Sequence, residues 1–121
     1  VNKHEAKLRD DIISFLTRPD VGFVKVNQTW GKPANTATDE GATDLLVMVN
    51  GYTDQWELKR PEVRAPNGRV LSRAGVLSPK QLEHIGKAAR CGVDVQVIPS
   101  FEEAQTRIAY LRSLPPSPGG L

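Results

Sequence analysis

The apolar positions of this chain change their period along its length, and each change marks an element. Leu8, Ile12, Ile13, Phe15 and Leu16 recur at helical spacing, which predicts a helix over residues 3–17. Arg18-Pro19-Asp20 stops it, because proline disfavours helix at the residue before it. Gly22-Phe23-Val24-Lys25-Val26 predicts a first strand. Residues 30–43 are rich in Gly, Thr, Asn and Asp, contain Pro33, and read as a polar connection. The apolar run Leu45-Leu46-Val47-Met48-Val49 then meets Asn50-Gly51. That pair is the strongest short-range signal of a two-residue type I′ hairpin turn, so strands are expected over 44–49 and 52–59.

Residues 60–78 carry Pro61, Pro66-Asn67-Gly68 and Gly75 and read as a basic loop, long enough to serve a function. Ser78-Pro79 opens a second helix, with serine as its cap and proline in its first position. It runs to about Arg90, and Gly92 ends it. Residues 93–98, Val-Asp-Val-Gln-Val-Ile, alternate as a half-exposed or edge strand does. Ser100-Phe101-Glu102-Glu103 is a capping-box pattern and starts a last helix to about Ser113. The order is helix, three strands, helix, strand, helix, an α/β chain. One domain is expected over 1–113, with the Pro/Gly-rich residues 114–121 as a flexible tail.

Composition narrows the function classes. The 121 residues suffice for a real core, and 39% hydrophobic with 25% charged residues is ordinary for a globular domain. A net charge of +2 does not by itself imply nucleic acid. The local cluster of Lys59, Arg60, Arg64, Arg69, Arg73 and Lys80 matters more. Cys91 is the single cysteine, so no intrachain disulfide forms, and it reads as a buried structural thiol. His4 and His84 lie too far apart in sequence to build a Cys/His metal cluster with it. No apolar run approaches the roughly 18 residues of a membrane span, and no signal peptide is visible, so a cytoplasmic protein is expected.

The chemistry concentrates at the hairpin. A two-residue turn pairs Val49 with Tyr52, and the register then sets Asp44 opposite Glu57. Side chains two apart share a sheet face, so Asp44, Glu57 and Lys59 point one way and Leu58 the other. Each alone reads as a solvated strand face with an ion pair of small value. Together they are oxygen ligands for Mg²⁺ or Mn²⁺ with an ammonium beside them. A divalent cation held there activates water against a phosphodiester and neutralises the charge that grows on the phosphoryl oxygens. Lys59 would position or deprotonate that water, or stabilise the charge.

Two helical residues join this argument. At about 100° per residue, Ile12 and Leu16 fall within about 20° of Glu5, which places an acid mid-stripe on an apolar face. A first-turn acid favoured by the helix dipole is the plain alternative. Gln81 edges the apolar face of the second helix, and Ser78-x-x-Gln81 is also a capping box. His84 and Gln96 read as surface polar residues, and Tyr52 and Trp56 as sheet-packing rings. The basic residues of 60–80 suit a phosphate backbone, or else form a solvated loop of mixed charge.

The first-helix acid, Gly41-Ala42-Thr43-Asp44-Leu45-Leu46, Trp56-Glu57-Leu58-Lys59 and Gly75-Val76-Leu77-Ser78-Pro79-Lys80-Gln81, in that order, resemble the VRR-NUC domain. That is the virus-type replication-repair nuclease branch of the PD-(D/E)XK superfamily. The strand Gly92-Val93-Asp94-Val95-Gln96-Val97 and the Ser100-Phe101-Glu102-Glu103 helix start extend the likeness over residues 3–112. The resemblance implies an αβββαβ core with a mixed central sheet flanked by helices. It implies Asp44, Glu57 and the Leu58 backbone carbonyl as metal ligands and Lys59 as the catalytic lysine. Glu5 would reach the metal directly or through water, and Gln81 would join the site. Thr43 stands where the family usually has proline, a position that shapes backbone rather than chemistry.

Small stand-alone members of this branch resemble phage or bacterial homodimers that cut branched DNA as Holliday junction resolvases do. The expected function is thus a Mg²⁺/Mn²⁺-dependent, structure-selective endonuclease, with Arg60, Arg64, Arg69, Arg73 and Lys80 on DNA. Two alternatives stand beside it: a nuclease of linear duplex, and a non-catalytic DNA-binding or assembly module on the same scaffold.

Overall fold

The computed structural model describes residues 3–26 and 43–117, and for His4 and Glu5 the backbone alone. The polar connection expected over 30–43 lies, apart from Thr43, outside the described residues. The architecture is mixed α/β. In chain order the elements are α1 (Lys3–Leu16), β1 (Val21–Lys25), β2 (Leu45–Val49), β3 (Tyr52–Leu58), β4 (Val63–Arg64), β5 (Val70–Ser72), α2 (Pro79–Arg90), β6 (Val95–Ile98) and α3 (Phe101–Ser113). The main sheet runs β1-β2-β3-β6. Its first two pairings are antiparallel, while β3 and β6 are parallel. A parallel neighbour needs a long crossover, and α2 supplies it.

Each strand residue goes to one of two faces. Leu45, Val47, Val49, Trp56, Leu58 and Ile98 are buried on one face. Leu8, Ile12 and Leu16 of α1 and Ala104, Ile108 and Leu111 of α3 close over them. Asp54 sits among these apolar residues, 5% exposed. It is held there by both arms of Arg107 at 2.6 and 3.0 Å and by the Trp56 indole N–H at 3.1 Å. The bond to Asp54 in turn holds the Arg107 guanidinium pKa above its ordinary value. The opposite face carries Gln55 and Glu57 and receives α2.

Three expectations change. Residues 60–78 do not form a plain loop: β4 and β5 pair as a ribbon through Val63↔Ser72 and Arg64↔Val70. Strands of two and three residues are too short to register as a period in the sequence. Cys91 is exposed rather than buried, because it caps the C-terminus of α2 just before Gly92, φ 81°, turns the chain away. The start of the Pro-rich segment is pinned rather than loose. The Asn50 amide donates to the Leu114 carbonyl at 2.8 Å and the Tyr52 hydroxyl to that of Pro115 at 2.6 Å. The Ser117 N–H donates to the Asn50 carbonyl at 3.2 Å. Residues 118–121 of the expected tail lie outside the described residues. Among the described residues, no helix is long and apolar enough to cross a membrane.

Asp54 and Asp20 make matched bidentate pairs with arginines in unlike surroundings. Asp54→Ala strands a partly buried guanidinium and an indole N–H, and lowers the free energy of urea unfolding by about 3 kcal/mol. Asp20→Ala breaks the exposed pair with Arg112 and lowers it by less than about 1 kcal/mol. Equal losses would remove the structural role given to Asp54.

Candidate active site

The site is set by the hairpin turn. Asn50 and Gly51 take φ of 55° and 82°, both positive, as a type I′ turn requires. Only glycine adopts this freely, and asparagine tolerates it better than other side chains. The register then runs from Val49↔Tyr52 to Leu45↔Trp56, as the two-residue turn predicts. Glu57 consequently faces away from the apolar core, and Leu58 into it.

At Asp44 the ladder departs from expectation. Its N–H donates to the Trp56 carbonyl at 3.0 Å, and its own carbonyl accepts from the Val26 N–H at 3.0 Å. A regular pairing with Glu57 would send both backbone groups the same way, so Asp44 is not a ladder partner of Glu57. The chain bends there, and the carboxylate reaches the next amide along: Asp44 Oδ2 accepts from the Leu58 N–H at 2.8 Å. The two acids still meet, since the Asp44 charge and a hydrogen bond with Asp44 both act on Glu57.

Glu57 is 2% exposed. Its Oε1 accepts from Gln81 Nε2 at 2.6 Å and lies 3.7 Å from Lys59 Nζ. Lys59 Nζ donates to Gln81 Oε1 at 2.7 Å. The Gln81 amide thus ties the acid to the lysine, donating to one and accepting from the other. The same Oε1 accepts from the Ser78 N–H at 2.8 Å, and Ser78 Oγ accepts from the Gln81 N–H at 3.1 Å. Gln81 is therefore both the reciprocal partner of the capping box and a member of the site. Burial first, and the neighbouring Asp44 second, push the Glu57 carboxyl from 4.5 up to about 8; the nearby Lys59 pulls it down less strongly.

The returning chain presses close to the lysine. A Cβ on Gly75 would stand 3.2 Å from the Arg60 nitrogen and 3.3 Å from its Cγ, which is tight, and in ordinary contact with Lys59 Cδ at 3.4 Å. Glu5 lies in the first turn of α1, and its side chain is outside the described ones. Arg60, Arg64, Arg69 and Arg73 follow Lys59 along and beside the ribbon. Lys80 is exposed on the first turn of α2, 3.8 Å from Glu83.

Sequence reasoning missed a second set of polar groups beside the first. His84, read as a surface residue, is half-buried, with Nε2 3.2 Å from Gln55 Oε1. The Thr43 hydroxyl donates to the same oxygen at 3.4 Å. Spacing could have found this set: Gln55 precedes Glu57 by two on one strand face, and His84 follows Gln81 by one helical turn. Gln96 stays half-buried on β6.

Comparison with protein-family models, with curated proteins and with solved structures found no match. The site is thus judged on its own donors. Among the described residues, no group of three or more His, Cys, Asp or Glu side chains gathers as a metal cage. Two acids pressed together in a buried place nonetheless fit a hard divalent cation, which would offset the burial and the Asp44 repulsion that together raise the Glu57 pKa. The Leu58 carbonyl lies on the β2 side of its strand, as its N–H does, where β2 has ended and Asp44 stands. Asp44, Glu57 and that carbonyl could hold Mg²⁺ or Mn²⁺ and leave positions to water, as Mg²⁺ prefers.

Two outcomes test this account. Between about 4.5 and about 8 the folded chain binds the Glu57 proton and the unfolded chain does not, so unfolding free energy falls as pH rises. In EDTA, urea unfolding becomes easier across that window, and Glu57→Gln, neutral and of the same shape, flattens the trend; parallel slopes in both proteins would contradict the assignment. Ser78→Ala, which loses the cap alone, costs about 1 kcal/mol. Gln81→Ala keeps the Ser78 Oγ bond to the backbone N–H of residue 81 but loses the bond from the Ser78 N–H and those to Glu57 and Lys59, and costs about 2–3 kcal/mol in the same measurement. Equal costs would show that the bridge contributes nothing.

Proposed function

We propose that this chain is a Mg²⁺- or Mn²⁺-dependent DNA endonuclease on the αβββαβ core implied by the VRR-NUC resemblance, a branch of the PD-(D/E)XK superfamily, acting on branched DNA as a homodimer. The observation that carries the reading is the Gln81 amide bridging buried Glu57 and Lys59, with Asp44 against Glu57. A folded chain gains little by burying two acids side by side unless a cation joins them. The order α1, β1 to β3, α2, β6 supports the core, with the β4–β5 ribbon as an addition between β3 and α2.

When bound, Mg²⁺ or Mn²⁺ would supply neutralisation of the phosphate charge and a more acidic water. The chain's own groups do the rest. The Leu58 N–H fixes one Asp44 oxygen, and Gln81 fixes one Glu57 oxygen, so both carboxyl groups are held in place before substrate arrives. Lys59 is a charged donor with three N–H bonds, one of them to Gln81. Its place beside Glu57 and Gln81 suits a role in holding the attacking water or steadying charge on the phosphoryl oxygens. Hydrolysis joins the water oxygen to phosphorus, breaks the bond to the sugar oxygen, and leaves that oxygen to take up a proton. The basic residues Arg60, Arg64, Arg69, Arg73 and Lys80 flank Lys59 along the chain and suit the phosphates on either side. A two-fold dimer presents two sites symmetrically, which suits the approximate two-fold symmetry of a four-way junction.

The test is cleavage of labelled four-way junction, flap and linear duplex DNA with Mg²⁺, Mn²⁺ or EDTA. Junction is cut fastest, and only with metal. Asp44→Asn and Lys59→Ala each lower the rate by at least about a hundredfold, with fold and DNA binding retained. Full cleavage by either variant removes the site assignment. Equal cutting of junction and duplex removes the preference for branches alone. Mn²⁺ binding that ignores Asp44 and Glu57 favours a non-catalytic module.

A further inference from the structure

We infer that the β4–β5 ribbon is an arm that docks duplex DNA beside the cleaved phosphate, through the exposed side chains of Arg69, Leu71 and Arg73. The inference rests on the nuclease reading and adds to it a surface and the form of DNA that the surface takes.

The ribbon is a built structure. At its root the Gly75 N–H donates to the Arg60 carbonyl at 3.0 Å, and Arg60 Nε donates to the Arg73 carbonyl at 2.8 Å. At its tip the Ala65 N–H donates to the Arg69 carbonyl at 2.8 Å, and the Gly68 N–H donates to that of Ala65 at 2.9 Å. The Asn67 side chain accepts from the Arg69 N–H at 3.0 Å, and Gly68 takes φ 88°. The root adjoins Lys59, since Gly75 packs against its stem. About seven residues separate root from tip, so at about 3.3 Å each the arm reaches up to about 20 Å from the site.

The basic residues of this segment divide into two kinds. Arg60 and Arg64 build the arm: Arg60 closes the root, and Arg64 bonds the Gly68 carbonyl at 2.9 Å and pairs with Glu62 at 3.0 Å. Arg69 and Arg73 are exposed, and among the described residues no hydrogen bond or ion pair engages either guanidinium. They flank β5 with Leu71 between them, and the register shift from Val63↔Ser72 to Arg64↔Val70 leaves Leu71 as a bulged residue without a ladder partner. Ser72, next to it, is buried. Leu71 is 57% exposed, which nothing in the fold requires.

This arm fits a duplex rather than unpaired bases. A two-stranded ribbon has the width that a duplex groove admits. Cations at both ends of a short strand reach phosphates about 13 Å apart, and an apolar side chain between them meets sugars and base edges. Single strands are gripped by stacking on aromatic rings, and between Trp56 and Phe101 the sequence has none.

Fluorescence anisotropy decides the matter, with the full chain in EDTA, a labelled linear duplex, and labelled oligo(dT) of equal length, over a series of salt concentrations. The double variant R69A/R73A binds duplex about tenfold more weakly at moderate salt. Its slope of log affinity against log salt falls by about 2, one phosphate contact per arginine. Its binding to oligo(dT) changes less than about threefold. Arg90→Ala, which removes one charge from the far end of α2, keeps the wild-type slope, and thermal melts verify that all variants fold. A double variant that binds duplex as wild type does overturns the arm, as does an equal loss for Arg90→Ala or for oligo(dT). A wild-type chain that binds duplex through these arginines but never cuts DNA keeps the arm and removes the nuclease reading. A chain that cuts while R69A/R73A binds normally removes the arm alone.

Discussion

The Asn50-Gly51 turn holds the register on which both faces of the sheet depend. A slip of one residue would send Trp56 and Leu58 into solvent and Glu57 into the apolar core. Two positive φ angles make the turn, and Asn50 adds a second anchor by donating to the carbonyls of Leu111 and Leu114 at 3.0 and 2.8 Å. The end of α3 is thus tied to the turn that sets β3. Core packing on one face and acidic chemistry on the other follow from the same local geometry.

Gln81 couples helix formation to the site in a comparable way. A helix N-terminus leaves backbone N–H groups without partners, and the capping box at Ser78 satisfies two donors reciprocally. Because Gln81 Oε1 serves both the Ser78 N–H and Lys59, the first turn of α2 and the lysine share one acceptor. The helix cannot start elsewhere without releasing Lys59, and Glu57 loses its donor at the same time. Reading Gln81 as either a cap or a site residue sets up a choice that the geometry does not require.

The legible parts of this chain were those with a local physical cause. The three helices, the turn, the register and the edge position of β6 each follow from spacing, capping residues or positive φ, and each agrees with the fold to within a residue or two. The β4–β5 ribbon escaped because its strands are shorter than any detectable period and its pairing is set by the turn at Pro66-Asn67-Gly68. His84 and Gln55 escaped because one polar residue on each of two elements carries no signal until the elements meet. Cys91 was misjudged because thiols are usually buried, and a helix end overrides that tendency. The fate of Leu114 to Ser117 was equally non-local, since their partners are Asn50 and Tyr52, some sixty positions earlier.

The departure at Asp44 bears most directly on chemistry. A ladder pair would have set Asp44 and Glu57 face to face, with both carboxylates free to swing. The bend instead commits the Asp44 N–H to Trp56 and one carboxylate oxygen to the Leu58 amide. The Leu58 carbonyl, like its N–H, lies on the side of the strand where Asp44 stands, and its neighbour Lys59 is fixed to β6 through the Ile98 carbonyl at 3.1 Å. Asp44 therefore anchors the same three-residue stretch, Glu57 to Lys59, that carries the other polar groups of the site. Movement of that stretch along the strand would break the Asp44 bond, the Gln81 bridge and the pairing with β6 together. Contacts with Asp44, α2 and β6 hold the carboxyl groups and the ammonium in one arrangement, so on the proposed reading little side-chain entropy would remain to be lost on binding a cation and a phosphate.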